Sequence, residues 1–123
     1  MPDPVATAPQ TLGQMLRAAA TRFPSKAALY YKEGGKYRAI SWSEVLRRVE
    51  SVASFLMKEG LVAGDRLAIF SENRPEWAMV DLACQMIGVS TVPIYPSLTG
   101  PEVQYLLKDS GARALAVSQK KPV

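Results

Sequence analysis

The side chains that could support chemistry are concentrated in two polar loops of this sequence. The first loop, Ser71–Arg74 (SENR), follows the apolar run Leu67–Phe70, and the second, Pro96–Gly100, follows the run Thr91–Tyr95. Ligands of open α/β sheets bind outside the carboxyl ends of the strands, which is where such loops lie. The two loops together therefore predict a ligand-binding crevice.

The composition excludes several kinds of catalytic site. The sequence contains no histidine and a single cysteine, Cys84. Ser–His and Cys–His nucleophile pairs, histidine bases, histidine metal ligands and a disulfide framework are therefore absent. No basic side chain near Cys84 would lower the pKa of its thiol, which indicates a small core residue. The eight glycines form neither GxGxxG nor GxxxxGK(S/T), so binding of a dinucleotide by a glycine-rich loop is not expected.

The end of the first loop has two interpretations. In the ordinary one, Asn73 caps a helix, Pro75 lies in its first turn, and Glu76 lies at the positive end of the helix dipole. In the other, Arg74 binds an anion at the start of that helix. Both interpretations remain open from the residues alone.

Three further side chains, Asp81, Trp42 and Trp77, could be either structural or functional. Asp81 interrupts an otherwise apolar helix, so it faces solvent, pairs with a buried partner or takes part in acid–base chemistry. Trp42 and Trp77 are interpreted as core anchors in preference to platforms for a substrate.

The elements that position these residues are predicted from apolar periodicity and turn residues. Ser41-Trp42-Ser43-Glu44 fits a capping box, in which Glu44 reaches back to the backbone of Ser41, and Gly60 is a natural C-cap. The predicted helices are Thr11–Phe23, a helix from the Ser41 cap to about Glu59, Pro75–Ile87 and Pro101–Lys108, and the predicted strands are Ala27–Lys32, Tyr37–Ser41, Leu67–Phe70, Thr91–Tyr95 and Arg113–Val117.

The order of these elements predicts the fold class. A β-hairpin with Gly34-Gly35 at its tip comes first, and helices then alternate with apolar strands. This alternation is typical of parallel strands joined by helical crossovers. We therefore expect an α/β fold with a parallel-rich, doubly wound (Rossmann-like) sheet flanked by helices and preceded by the hairpin.

Length and charge are those of one globular domain. The 123 residues have a mass of 13.4 kDa, 48% hydrophobic and 21% charged residues, and a net charge of +4. The basic excess lies in residues 1–50, but the cations are scattered singly, which favours a solvated surface over a nucleic-acid site. Residues 1–10 lack the apolar segment of a signal peptide, and prolines and glycines interrupt the uncharged stretch 82–101. We therefore expect a cytoplasmic protein.

Three stretches carry a resemblance to a known family. They are FPSKAAL (residues 23–29), GDRLAIFSENRPEW (64–77) and GVSTVPIYPSLTGPEVQYLLKDSGAR (88–113). On the basis of these three stretches, residues 11–118 resemble the N-terminal end of the acyl-adenylate-forming (AMP-binding) enzymes. The pair Tyr95-Pro96 after Val92-Pro93-Ile94 is most similar to bacterial long-chain fatty-acid–CoA ligases.

The resemblance implies a two-step reaction that uses ATP, Mg²⁺ and coenzyme A. A fatty carboxylate would react with ATP to give an acyl-adenylate, and the coenzyme A thiol would then displace AMP. The family's phosphate loop, adenine motif, ribose-binding aspartate and C-terminal lysine do not occur in these 123 residues. The expectation is therefore an incomplete subdomain, with a flexible segment at residues 1–10, the N-terminal subdomain at 11–118 and a tail at a truncation point at 119–123. We expect the segment alone to be inactive, with no useful affinity for the cofactors.

Few site residues transfer from the family to this stretch. The resemblance places Tyr95, Pro96 and Ser97 near the entrance for coenzyme A and implies no catalytic residue and no metal ligand here. It also implies small-molecule substrates, a homodimer, no nucleic acid, and at most peripheral contact with the inner face of the membrane. Two alternatives remain, an adenylating ligase for another carboxylic acid and a non-catalytic α/β binding or oligomerisation module.

Overall fold

A computed structural model describes residues 11–118, so the predictions for residues 1–10 and 119–123 lie outside the described residues. The elements are α1 (Leu12–Arg22), β1 (Ala27–Glu33), β2 (Lys36–Ser41), α2 (Trp42–Lys58), β3 (Arg66–Phe70), α3 (Pro75–Ile87), β4 (Ser90–Ile94), α4 (Gly100–Ser110) and β5 (Ala114–Val117). Every predicted element is present, and the bounds differ from the prediction by at most two residues.

The hairpin forms where the Gly-Gly pair predicts it. Strands β1 and β2 pair antiparallel, with Lys32 opposite Tyr37 and Glu33 opposite Lys36. Gly34 and Gly35 at the tip have φ angles of +59° and +77°. Positive φ at both central residues matches the right-handed twist of the flanking strands, which is why glycine is favoured at both positions.

The second sheet is parallel, as the alternation of helices and strands predicts. Its strand order is β4-β3-β5, with β3 hydrogen-bonded on both sides. Leu67 of β3 lies between Thr91 and Ala114, and Phe70 lies between Ile94 and Val117. The α/β fold class is therefore confirmed.

Helices cover the two faces of this sheet unequally. Leu67 and Ile69 point into the main core, whereas Ala68, on the opposite face by strand alternation, is buried outside that cluster. The connection from β3 to β4 and the connection from β4 to β5 run in opposite directions, so right-handed crossovers place α3 and α4 on opposite faces. Helices α1, α2 and α3 pack together on the first face, and α4 covers the second with no fully buried residue.

The main core is built on an apolar stripe of α2. Val45, Val49, Ala53 and Leu56 recur at the spacing of one helix face, and all four are buried. Trp42 and Trp77 are half-buried and pack against this core, which confirms their predicted role as anchors.

Two details of the helix ends differ from the prediction. The Ser41 hydroxyl accepts a hydrogen bond from the Glu44 amide at 3.2 Å, but the Glu44 carboxylate does not reach back to Ser41. It binds Arg47 and Arg48 instead, because a charge-assisted hydrogen bond is stronger than one from a neutral amide. The C-cap of α2 is Glu59, and Gly60 follows it with a φ of +93°.

Within residues 11–118, none of the helices combines the length and the apolar character that crossing a lipid bilayer requires.

Candidate functional site

The two polar loops meet at the carboxyl edge of the parallel sheet. They enclose a groove of about 270 Å³ beside the junction of β3 and β4. The chain leaves β3 toward one face of the sheet and leaves β4 toward the other, so this junction is the topological switch point where ligands of open sheets bind. The residues lining the groove are Ser71, Glu72, Asn73, Trp77, Pro93, Ile94, Tyr95 and Pro96.

An ion-pair network occupies Arg74, the residue at the end of the first loop. The Arg74 guanidinium contacts Glu76 at 2.9 Å and Glu72 at 3.5 Å. The Ser118 hydroxyl, just beyond β5, donates a hydrogen bond of 2.8 Å to Glu72. Hydrogen bonds from its own backbone amide and from Ser118, together with the charge of Arg74, lower the pKa of Glu72. The Arg74 guanidinium is thus paired with two carboxylates in the folded chain, and its side chain remains partly exposed.

The predicted cap at Asn73 is wrong. The N-cap of α3 is Arg74, in an extended conformation and without a side-chain capping bond, and Pro75 and Glu76 occupy the first turn. Asn73 lies one residue too early for its side chain to reach the free amides of the helix. It is exposed, and within residues 11–118 its amide group has no hydrogen-bond partner.

The second loop brings two of its three predicted site residues to the groove. Tyr95 and Pro96 line it, with Tyr95 75% exposed, whereas Ser97 is exposed and lies outside the lining. The Leu98 amide donates a hydrogen bond of 3.1 Å to the Tyr95 carbonyl, which forms a tight turn. Further along, the Thr99 hydroxyl accepts from the Glu102 amide at the start of α4.

Trp77 and Pro93 are lining residues that the sequence analysis did not assign to the groove. Trp77 both packs against the core and lines the groove, so its role as an anchor does not exclude a role at the surface. Its position in the first turn of α3, shortly after the polar loop, was the signal in the sequence. No feature of the sequence indicated that Pro93 would line the groove, because a proline within an apolar strand predicts only that the strand lies at an edge of the sheet.

Asp81 and Cys84 lie on α3 away from this edge and serve the packing of the sheet. The Thr91 hydroxyl donates a hydrogen bond of 2.7 Å to the Asp81 carboxylate, which supplies the partner that the sequence analysis required. Burial and the nearby charge of Asp81 raise the pKa of the Cys84 thiol from 9.0 to about 11. Cys84 is therefore a protonated core residue at neutral pH, as predicted.

A larger groove of about 1230 Å³ lies between the hairpin and residues 72–78, lined in part by Tyr30, Tyr37 and Arg48. It is an open trough on the surface, and two of its cations are already committed, since Arg48 pairs with Glu44 and Arg74 pairs with Glu72. The smaller groove at the switch point is the better candidate site.

Residues 11–118 contain no group of three side chains that could hold a metal ion.

Comparisons with known proteins identify the family. The sequence profile of the family described as "AMP-binding enzyme" matches residues 16–123. The long-chain-fatty-acid–CoA ligase FadD15 of Mycobacterium bovis is 37% identical over 81 residues, which are 66% of this chain and 14% of the relative. The human mitochondrial medium-chain acyl-CoA ligase ACSF2 is 31% identical over 106 residues, which are 86% of this chain and 17% of the relative.

Solved structures agree with this result. The N-terminal subdomain of NpsA from Klebsiella oxytoca superposes with a TM-score of 0.80 at 26% identity, over 94% of this chain and 29% of that one. The inhibitor-bound N-terminal domain of FACL13 from Mycobacterium tuberculosis superposes with a TM-score of 0.81 at 27% identity, over 89% of this chain and 27% of that one.

The chain thus spans about one sixth of the length of the curated relatives it matches. The family profile covers nearly all of the chain, and the fold is that of N-terminal subdomains of adenylating proteins. The chain belongs to the AMP-binding enzyme family.

Proposed function

We propose that residues 11–118 are the N-terminal subdomain of an acyl-adenylate-forming ligase that converts a long-chain fatty acid to its coenzyme A thioester. The observation that carries the proposal is the family match over residues 16–123, together with the 37% identity to a long-chain-fatty-acid–CoA ligase. The partners would be the fatty acid, ATP and coenzyme A.

Neither step of the proposed reaction requires a nucleophilic side chain from residues 11–118. In the first step, a carboxylate oxygen of the fatty acid bonds to the α-phosphorus of ATP, and pyrophosphate leaves. In the second, the sulfur of coenzyme A, having lost its proton, bonds to the acyl carbon, and AMP leaves with the electron pair. Both steps depend on positioning and on stabilisation of phosphate charge. Mg²⁺ would be held by residues outside this segment.

The 123-residue chain alone is expected to be inactive, since the family's phosphate loop and C-terminal lysine are absent from it. The test is pyrophosphate release with ATP, Mg²⁺ and palmitate, run on this chain and on an enzyme in which it continues into the remaining family motifs. Turnover by the short chain would contradict the subdomain assignment, and the absence of turnover by the long enzyme with any fatty acid would contradict the ligase assignment.

Tyr95, Pro96 and Ser97 are proposed to lie near the entrance for coenzyme A. Support comes from their place at the carboxyl end of β4 and from the exposure of Tyr95 in the groove. In the complete enzyme, Tyr95→Ala should raise the KM for coenzyme A and leave the adenylation half-reaction nearly unchanged. The matched control is Tyr105→Ala, which removes a similarly exposed ring from α4. Equal loss in both half-reactions would indicate a folding role.

A different acid is the second candidate substrate. The medium-chain ligase matches a larger share of this chain than the long-chain ligase does, 86% against 66%. Adenylation measured with a series of medium-chain, long-chain and aromatic acids separates the candidates, because the preferred acid gives the highest kcat/KM.

We also propose that the complete protein forms a homodimer and makes peripheral contact with the membrane. The basic excess in residues 1–50 supports an electrostatic contribution to both. Sedimentation of the complete protein at low and high salt, with and without vesicles of anionic lipid, tests them. Monomers at both salt concentrations would exclude the dimer, and a protein that stays in the supernatant with vesicles would exclude membrane contact.

A further inference from the structure

A single hydrogen bond links the middle of the first polar loop to the end of β5. The Ser118 hydroxyl donates to the Glu72 carboxylate at 2.8 Å, between residues 46 positions apart in the chain. In the described part of the chain, no other hydrogen bond or ion pair links residues 71–73 to a segment outside the loop. The Ser71 hydroxyl donates to the adjacent Glu72 carbonyl, and Glu72 pairs with Arg74 of the same loop. The middle of the loop therefore depends on Glu72 for its position.

The two ends of this loop are held without the Ser118 side chain. At its start, the Phe70 carbonyl of β3 accepts a hydrogen bond of 3.3 Å from the backbone amide of Ser118. At its end, Arg74 is the N-cap of α3, and its guanidinium contacts Glu76 at 2.9 Å. A change in the Ser118 side chain should therefore affect the middle of the loop and leave its ends in place.

The strand order determines from which side Ser118 restrains the loop. Because the order is β4-β3-β5, Ser118 and Tyr95 lie on opposite sides of β3. The groove of about 270 Å³ lies on the Tyr95 side, and Ser71, Glu72 and Asn73 line it. The hydrogen bond thus restrains the loop from the side away from Tyr95. Without this bond, the loop would be free to move toward Tyr95 and narrow the groove.

Glu72 is suited to this role because its carboxylate has two oxygens. One accepts from Ser118, and the other faces the Arg74 guanidinium at 3.5 Å. The hydrogen bonds from its own backbone amide and from Ser118, with the charge of Arg74, lower the pKa of Glu72, so the carboxylate is ionised at neutral pH. An ionised carboxylate only accepts hydrogen bonds, and these are stronger than neutral ones. Because the groups are partly exposed, we expect them to contribute little to the free energy of unfolding.

We infer that Ser118 and Glu72 are positioning residues of the proposed ligase, whose hydrogen bond holds the loop Ser71–Arg74 away from Tyr95 and keeps the groove open. This role rests on the proposed function, in which Tyr95 lies near the entrance for coenzyme A. Neither positioning residue needs to contact a reacting atom. A contact of this kind acts by holding the wall of a site in the geometry that a substrate requires.

The test measures the two half-reactions of the complete enzyme separately. We expect Ser118→Ala to raise the KM for coenzyme A by about threefold to fivefold, through the loss of one hydrogen bond. Because this variant keeps the charge of Glu72, a change in repulsion of the coenzyme A phosphates does not contribute. Pyrophosphate release in the adenylation half-reaction and the melting temperature should stay nearly unchanged. Ser118→Thr keeps the hydroxyl and should restore the KM of the parent.

A double-mutant cycle identifies the partner of Ser118. In the Glu72→Ala background, Ser118→Ala should have no further effect on the KM for coenzyme A, because both changes remove the same hydrogen bond. The charge lost with Glu72 is common to both arms of this comparison and cancels. The matched control is Glu33→Gln, since Glu33 also forms an exposed ion pair, with Arg38 at 3.4 Å, but lies outside the groove. This control should leave the KM unchanged.

A crystal structure of the Ser118→Ala protein tests the restraint without reference to catalysis. We expect the middle of the loop to lie closer to Tyr95 than in the parent, by on the order of 1 Å, a displacement large enough to disturb a substrate site. A loop in the parent position would overturn the positioning role whatever reaction the enzyme performs.

The kinetic outcomes separate this role from the proposed function. An unchanged KM in Ser118→Ala, the same rise in both backgrounds, no recovery in Ser118→Thr, or equal losses in both half-reactions would each overturn the positioning role. If Tyr95→Ala raises the KM for coenzyme A and Ser118→Ala does not, the positioning role alone is wrong. If the parent enzyme releases no pyrophosphate with any fatty acid, the ligase assignment is wrong, and the crystal structure still decides whether Ser118 restrains the loop.

Discussion

Glu44 shows how local charge competes with backbone capping at the scale of a residue. Its carboxylate accepts hydrogen bonds from Arg47 at 2.9 Å and Arg48 at 2.8 Å, one turn further along α2. The Arg47 hydrogen bond is the largest cause of the lowered pKa of Glu44, from 4.5 to about 2, and the Arg48 hydrogen bond is the next. The ionised carboxylate is therefore stabilised in the folded chain.

A pH dependence follows from this lowered pKa. The Glu44 interaction contributes its full stability above pH 4.5 and is lost as the pH falls toward 2. We expect Glu44→Gln to reduce the decline of the melting temperature between pH 4.5 and 2, as measured by circular dichroism. The effect should be small and should shrink in 1 M salt, because the arginines are exposed. Glu50→Gln is the control, and a variant with the pH profile of the parent would contradict the assignment.

The Thr91–Asp81 hydrogen bond gives a second prediction. Thr91→Val keeps the shape of the side chain but leaves the half-buried Asp81 carboxylate without its donor, so the free energy of unfolding should fall by about 1–2 kcal/mol. Urea unfolding measures the change. Thr21→Val, which removes an exposed hydroxyl bonded within α1, should cost no more than about 0.5 kcal/mol. Equal decreases in the free energy of unfolding for the two variants would show that the hydrogen bond to Asp81 contributes no more than the exposed one in α1.

At the scale of elements, the C-terminal end of α3 is constrained in two ways. Gly88 has a φ of +76°, and a Cβ added there would lie 3.0 Å from the Cβ of Ala63. Gly111 ends α4 with a similar φ of +68°, but its nearest neighbour for an added Cβ is the end of the Arg66 side chain at 3.9 Å. The two glycines share the backbone conformation and differ in the space around them.

Substitution of both glycines separates conformation from contact. Gly111→Ala should destabilise the chain by about 1–2 kcal/mol, which is the cost of the left-handed conformation. Gly88→Ala should cost at least about 1 kcal/mol more, because Ala63 and the backbone near it must move. The measurement is urea unfolding of each variant, and equal losses would show that the Ala63 contact relaxes freely.

The elements themselves could be predicted because their signals are local. Pro75 and Gly88 bracket an apolar run, and α3 begins and ends where they predict. The N-cap at Arg74 could not be predicted, because the path of the chain there decides which residue flanks the helix. The groove forms because the strand order β4-β3-β5 places the two loops side by side, and apolar periodicity does not specify that order. The sequence therefore indicated both loops as candidate site segments but did not indicate that Trp77 lines the groove. The prediction that Glu44 reaches back to Ser41 was wrong because it considered the capping motif and not the competing hydrogen bonds from Arg47 and Arg48.

At the scale of the whole molecule, the two edges of the parallel sheet differ. Edge strand β4 contains Pro93, which offers no N–H to an added strand. Edge strand β5 consists of Ala114–Val117 without proline or charge, and Leu115 and Val117 are 42% and 58% exposed. An apolar edge without such protection favours association with another strand.

We therefore expect the 123-residue chain to self-associate through β5 as its concentration rises. Val117→Lys should weaken the association by roughly tenfold, because it places a charge on the pairing edge. Sedimentation velocity measures the change, with Tyr105→Lys on α4 as the control. The association should persist in high salt, which distinguishes it from contact through the basic residues. A chain that stays monomeric at millimolar concentration would contradict the prediction.

The central place of β3 in the strand order has a consequence for biosynthesis. Both neighbours of β3 follow it in the chain, and β5 is completed about 50 residues later, which corresponds to roughly 2–10 s at ribosomal elongation rates. Before that, α1, the hairpin and α2 can pack together, but β3 has open hydrogen-bonding groups on both sides. The nascent chain therefore passes through an interval in which β3, three of whose five residues are buried in the folded chain, lacks one or both of its pairing strands.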